Sequence, residues 1–109
     1  MAWLMLAGAI LSEVVATLSL RGTSSEFRPV LAVVVVVGYL VSFVLMALAF
    51  RTLNVGIVYA VWSGVGTAGT TAAAAWLYGE RINGTAIVGM VVIVAGVAIL
   101  ASSGAATHD

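Results

Sequence analysis

The sequence predicts an all-α integral membrane protein with four transmembrane helices. Three observations carry that prediction. First, only 7% of the 109 residues are charged and 63% are hydrophobic. A water-soluble domain carries about 25% charged residues, so this chain cannot clothe a soluble surface. Second, four long apolar runs stand out: Ala2–Leu20, Val30–Phe50, Val55–Tyr78 and Thr85–Ala101. Each approaches the roughly 20 residues that cross about 30 Å of hydrocarbon as a helix. Third, nearly all the charge lies in the short connections Arg21–Pro29, Arg51–Asn54 and Gly79–Gly84. Residues 1–109 read as a single four-helix transmembrane domain. Helices are the expected form because lipid offers the backbone no hydrogen-bond partners. The β-branched run Val33–Val37 sits inside a full-length span and does not argue for a strand.

Composition also excludes several kinds of chemistry. There is no cysteine, and the lone His108 lies in the small, polar tail Ser102–Asp109. We therefore expect no disulfide, no metal site and a disordered tail. No phosphate-binding loop is present, and the net charge is zero, so neither a nucleotide cofactor nor a nucleic-acid partner is expected. Glu26 and Glu80 fall in loops and Asp109 in the tail, which leaves no catalytic constellation and predicts a protein that is not an enzyme. The first run lacks a basic leader, contains Glu13 and runs directly into Arg21. It reads as a span rather than a cleaved signal peptide.

In the first span, Glu13 is the only charged side chain found in any of the four runs. Lipid cannot solvate a carboxylate at that depth, so such a group is a functional site by default. Ala9, Glu13 and Thr17 follow one another at helical i, i+4 spacing, with Gly8, Ser12 and Ala16 close by. This face of small residues permits close helix approach and leaves room for a ligand beside the acid. The plainer alternative is a carboxyl that only fixes packing within a bundle.

The second span carries Tyr39 and Ser42 on one face. Tyr39 lies deeper than the interfacial belt where tyrosine usually anchors, so its hydroxyl needs a partner; packing and ligand contact both satisfy that need. In the third span, Tyr59, Trp62, Ser63 and Gly66 form one helical stripe. Tyr59 and Trp62 fit a cage for a lipophilic cation through cation–π attraction, or ordinary aromatic packing. Gly64 and Gly66 weaken the helix there and mark a hinge or a close helix contact. Thr67, Thr70 and Thr71 are placed to satisfy backbone groups freed nearby. The fourth span has no charge and no aromatic residue; Gly89 and Gly96 share one face with Val92 and Ile93 between them, a self-association stripe.

The segments AGAILSEVVATLSL around Glu13, GYLVSF around Tyr39, GIVYAVWSGVGT from Gly56, WLYGERI from Trp76 and GMVVIVAGV from Gly89 together resemble the small multidrug resistance family of bacterial exporters. The Tyr-Ala-x-Trp-Ser-Gly-x-Gly pattern over Tyr59–Gly66, paired with a Glu in the first span, is the most specific part of the match. The resemblance implies a multi-pass protein of the bacterial inner membrane that works as an antiparallel dimer. It implies exchange of protons for cations at Glu13, with Tyr39, Tyr59 and Trp62 lining the site and the fourth helix mediating dimerisation. Thr17, Ser42 and Ser63 stand with them as candidate substrate contacts. The guanidinium-exporting branch typically has Trp where this chain has Ala16, and Met where it has Tyr39. The multidrug branch, exporting quaternary ammonium cations, is therefore the expectation. Guanidinium export, or a non-transporting partner subunit of a mixed pair, is the alternative. The chain departs from the family pattern at Arg21, in the loop Glu26–Pro29 and at Asn54, all outside the site.

Elementary physics supports that mechanism. Protons and a cationic drug would compete for the same carboxylates, and two Glu13 groups sharing one cavity would titrate as a pair. Inverted copies supply the inverted symmetry that transporters use for alternating access. Arg21, Arg28 and Arg81 lie on the face opposite the termini, against Arg51 alone on the terminal face. The positive-inside rule thus biases the C-terminus outward, leaving a homodimer or a mixed pair with an oppositely biased subunit.

Overall fold

The computed structural model describes residues 1–104. The expectations placed on His108, Asp109 and the rest of the tail beyond Gly104 lie outside the described residues. Four helices follow in order: α1 (Ala2–Gly22), α2 (Pro29–Ala49), α3 (Val55–Tyr78) and α4 (Gly84–Ser102). Three of them, α1, α2 and α4, are long and apolar enough to cross a membrane. The 24-residue α3 is the longest and carries no charge. Its glycines, hydroxyls and aromatics lower its hydropathy, because this is the helix that carries the polar stripe.

Each helix end has a local cause. Arg21 lies in the last turn of α1, where a cation complements the helix dipole. The hydroxyls of Thr23 and Ser24 donate to the Leu20 and Arg21 carbonyls, which have no partner within the helix. Pro29 opens α2, and Arg28 before it is extended, with φ −124°; the proline ring pushes its predecessor out of the helical region. Gly79 ends α3 at φ 65°, a left-handed conformation that glycine adopts without steric cost. The Asn83 side chain caps α4 by accepting from the Ala86 N–H at 2.8 Å.

The chain forms two compact units, Met1–Arg51 and Thr52–Asp109. The first is a hairpin of α1 and α2. Leu6, Ala9 and Ala16 of α1 and Ser42, Met46 and Ala49 of α2 are its buried residues. Contacts pair Gly8 with Leu45, Ala9 with Ser42 and Ala16 with Gly38, so the helices run antiparallel. Most of these residues are small, which lets the backbones approach where lipid supplies no hydrophobic drive. The second unit pairs α3 with α4. Ile57, Val58, Val61, Gly64, Gly66 and Ala74 of α3 are buried, whereas no residue of α4 is. The exposed valines along α4 suit a surface that faces lipid rather than water.

Candidate functional site

The hydroxyls inside the spans show what lipid demands. Ser12 donates to the Gly8 carbonyl at 2.8 Å, Ser63 to the Tyr59 carbonyl at 2.7 Å, and Thr67 to the Ser63 carbonyl at 2.6 Å. With no water available, each turns back onto its own helix at i−4. Thr67 is expected to serve backbone groups freed at the glycines; α3 is continuous there, so its bond to the Ser63 carbonyl is an ordinary back-bond within the helix. Thr70 differs: its buried hydroxyl has no hydrogen-bond partner among the described residues.

Thr17 breaks the pattern. Its hydroxyl turns to the Glu13 carboxylate, donating to Oε1 at 2.8 Å. The i, i+4 spacing on α1 sets that contact. The same oxygen lies 2.7 Å from the Tyr39 hydroxyl of α2. Thr17 has one hydroxyl hydrogen, and Glu13 takes it, so Tyr39 is the donor in the second bond. Tyr39, Thr17 and Glu13 thus form one chain of hydrogen bonds, running from α2 across to α1 and ending on the carboxylate. The three side chains are half-buried.

Two close contacts flank this chain and hold it in register. A Cβ built on Gly38 would stand 2.8 Å from the Ala16 Cβ and 3.0 Å from the Ser12 carbonyl oxygen, so only glycine lets α2 lie this near α1. One turn further along, fully buried Ser42 donates to the Ala9 carbonyl at 2.7 Å. Ser42 therefore ties α2 to the backbone of α1. Phe43 stacks on Tyr39, with ring centroids 6.4 Å apart and planes at 21°, and steadies the tyrosine ring.

In the second unit, Tyr59 and Trp62 stack at 6.1 Å with planes at 28°. Tyr59 is 61% exposed and Trp62 half-buried. An aromatic pair with an open face can receive a cation. Ser63 lies next to Trp62 on the same helix, its hydroxyl directed at the backbone. Helix α3 runs unbroken through Gly64 and Gly66. Gly64 is where α4 comes close: a Cβ there would stand 2.7 Å from Val97 Cγ2 and 3.0 Å from Ile93 Cγ2. Gly89 and Gly96 are exposed, with open space where a Cβ would stand. Among the described residues, no three His, Cys, Asp or Glu side chains gather to hold a metal.

The structure thus joins Glu13, Thr17 and Tyr39 into one array and sets Tyr59 beside Trp62. Sequence reading missed the parts played by Gly38 and Phe43. Phe43 stands four residues after Tyr39, a spacing that places two rings on one helix face. Gly38 faces the small Ala16, a pairing visible only once the register of α1 against α2 is known.

Long apolar helices, the first of them carrying a carboxylate bonded by the Thr17 hydroxyl, define a multi-pass membrane protein. Comparison with known proteins sharpens this. Residues 1–93 match the family described as Small Multidrug Resistance protein, and the chain belongs to that family. It is 42% identical over 98 residues to a multidrug transporter of Pseudomonas aeruginosa, covering 90% of this chain and 89% of that protein. It is 43% identical over 99 residues to the quaternary ammonium compound-resistance protein QacF of Klebsiella aerogenes, with coverage of 90% and 89%. The multidrug resistance protein mmr of Mycolicibacterium paratuberculosis is 41% identical over 106 residues, with coverage of 96% and 99%.

Proposed function

We propose that this chain is a proton-coupled exporter of lipophilic quaternary ammonium cations in the bacterial inner membrane, working as an antiparallel dimer. The observation that carries the reading is the Glu13 carboxylate, set in mid-span and held by the hydroxyl chain from Thr17 and Tyr39. An acid in that place attracts either a proton or an organic cation, and the two exclude each other by charge. Proton binding from one side then releases the cation to that side. Tyr39, Tyr59, Trp62 and Ser63 contribute aromatic and polar contacts to the cation, and Gly64 and Gly66 let α3 flex between the two facing states. Ser42 acts on the site by fixing where α2 carries Tyr39. Glycines 89 and 96 meet the second copy. No bond is made or broken in the cargo, so the work is transport rather than enzymatic catalysis.

The names of the relatives support a multidrug cargo. So does Ala16, which is fully buried against Gly38. The guanidinium branch places an indole at that position, and this crossing has no room for one. Uptake by the chain alone in proteoliposomes under a pH gradient tests the proposal. A quaternary ammonium dye should accumulate and guanidinium should not; the reverse preference, or no uptake of either, overturns it.

A mixed pair is the second reading, favoured by the three-to-one arginine asymmetry between the two faces. Reporters active on one side of the membrane, fused to the C-terminus, discriminate. Exclusively external C-termini leave a homodimer without its inverted partner, whereas a cytoplasmic minority supplies it.

A further inference from the structure

We propose that Thr17 is a polarity switch: protonation of Glu13 on α1 reverses the hydrogen-bond chain through Thr17, turns the Tyr39 hydroxyl on α2 from a donor to Thr17 into an acceptor from it, and frees the tyrosine hydrogen to donate elsewhere. This rests on the exporter reading, in which Glu13 alternates between ionised and protonated states. The geometry supplies the rest. Thr17 Oγ1 lies 2.8 Å from Glu13 Oε1 and 2.7 Å from the Tyr39 hydroxyl. One hydroxyl hydrogen cannot serve both neighbours.

With Glu13 ionised, its carboxylate only accepts. Thr17 must donate to it, and Tyr39 must donate to Thr17. The lone pairs left on the Tyr39 oxygen then face outward and favour positive charge. When a proton binds Oε1, the new O–H donates to Thr17, Thr17 turns its hydrogen to Tyr39, and the Tyr39 hydrogen is released toward another acceptor. A donor now points where a cation would lie. One proton is taken up, two hydroxyl hydrogens reorient and no covalent bond in the cargo changes. The chain thus carries the protonation state of one helix to the face of the next, adding to the direct loss of charge at Glu13.

Within the hairpin itself, titratable groups are few. Besides Glu13 and Tyr39, α1 and α2 carry only Arg21, in the last turn of α1. Glu26 and Arg28 lie in the exposed connection. The Gly38 crossing and the bond from Ser42 to the Ala9 carbonyl hold the helices at fixed register on either side, so hydrogens can reorient without helix movement. Thr17 is a positioning residue in this account, acting through Glu13 and Tyr39.

The test is the affinity of the purified protein for tetrabutylammonium between pH 5 and 9, by calorimetry, for wild type, Thr17→Val, Thr17→Ser, Tyr39→Phe and the Thr17→Val/Tyr39→Phe pair. Donors favour the ionised carboxylate more than the neutral acid, so removing one moves the pH midpoint of binding upward. We expect about half to one unit for Thr17→Val, or roughly a 3- to 10-fold loss of affinity below both midpoints. Thr17→Ser should restore the wild-type midpoint. Tyr39→Phe alone should shift it less, in the same direction, and should add nothing to Thr17→Val. An unchanged midpoint in Thr17→Val, or shifts that add in full, overturns the switch while leaving the exporter reading intact. Wild-type binding that does not vary with pH overturns both. Tyr39→Phe keeps its ring and stacking, so its shift decides the matter if Thr17→Val fails to fold.

Discussion

Gly38 of α2 faces Ala16 of α1 so closely that a Cβ on the glycine would lie 2.8 Å from the Ala16 Cβ. A second obstacle, the Ser12 carbonyl at 3.0 Å, is backbone and cannot turn aside. This contact sets how near Tyr39 comes to the carboxylate-bearing helix. Gly38→Ala should therefore cost about 1–3 kcal/mol of stability, as overpacking does, and weaken cation binding with it. Gly56→Ala is the control, since nothing lies within 4 Å of its new methyl group. Unfolding in detergent measures both; equal stabilities would mean that the hairpin opens freely at Gly38.

Glu13→Gln should abolish coupled transport while the protein stays folded, because Glu13 is the only charged group within any helical span at mid-depth. Glu13→Asp should retain some binding, with its pH profile moved lower by roughly 0.4 units, the intrinsic difference between the two acids. Proton-coupled dye export by the Gln variant would remove Glu13 from the mechanism. So would an Asp variant whose profile matches wild type.

Trp62→Ala should weaken binding of aromatic cations by about 0.5–2 kcal/mol, the range of a cation–π contact. Loss of the stack with Tyr59 contributes to that figure. Trp76, near the end of α3 and 82% exposed, suits an interfacial anchor and should matter far less. Ligand titration of the two alanine variants checks this; equal losses would take Trp62 out of the site.

Gly89→Ile and Gly96→Ile should leave the single subunit undisturbed, since their added groups enter open space. If α4 meets a second copy through this stripe, both should block self-association. Cross-linking in native membranes reads the outcome, and undiminished dimers in both variants would place the contact elsewhere.

The helices were legible because lipid leaves a chain few options. Every backbone group must find its partner within the span, so an uncharged run of sufficient length becomes a helix. The expected first span ended at Leu20 and α1 continues to Gly22; α4 extends one residue beyond the expected run at each end. Polar residues show the limit. Spacing placed Thr17 over Glu13 because both are on one helix, where i, i+4 geometry is set locally. Spacing also paired Tyr59 with Trp62. It offered Thr67 and Thr70 to the backbone alike, and did not show that Thr67 would bond there and Thr70 would not.

Composition and periodicity alone determined the class of protein, the number and rough extent of its helices, and the singular position of Glu13. These follow from the cost of charge and unpaired backbone in hydrocarbon, which acts on each span separately. Only the tertiary structure decided that Tyr39 reaches Thr17, that Ser42 ties itself to the Ala9 carbonyl, and that Gly38 is the point of closest crossing. Those contacts depend on the register of α1 against α2. Many registers bury similar apolar area when the helix faces are Val, Leu and Ala. The one observed is set by where a missing side chain lets two backbones meet and where two hydroxyls on different helices come within bonding distance.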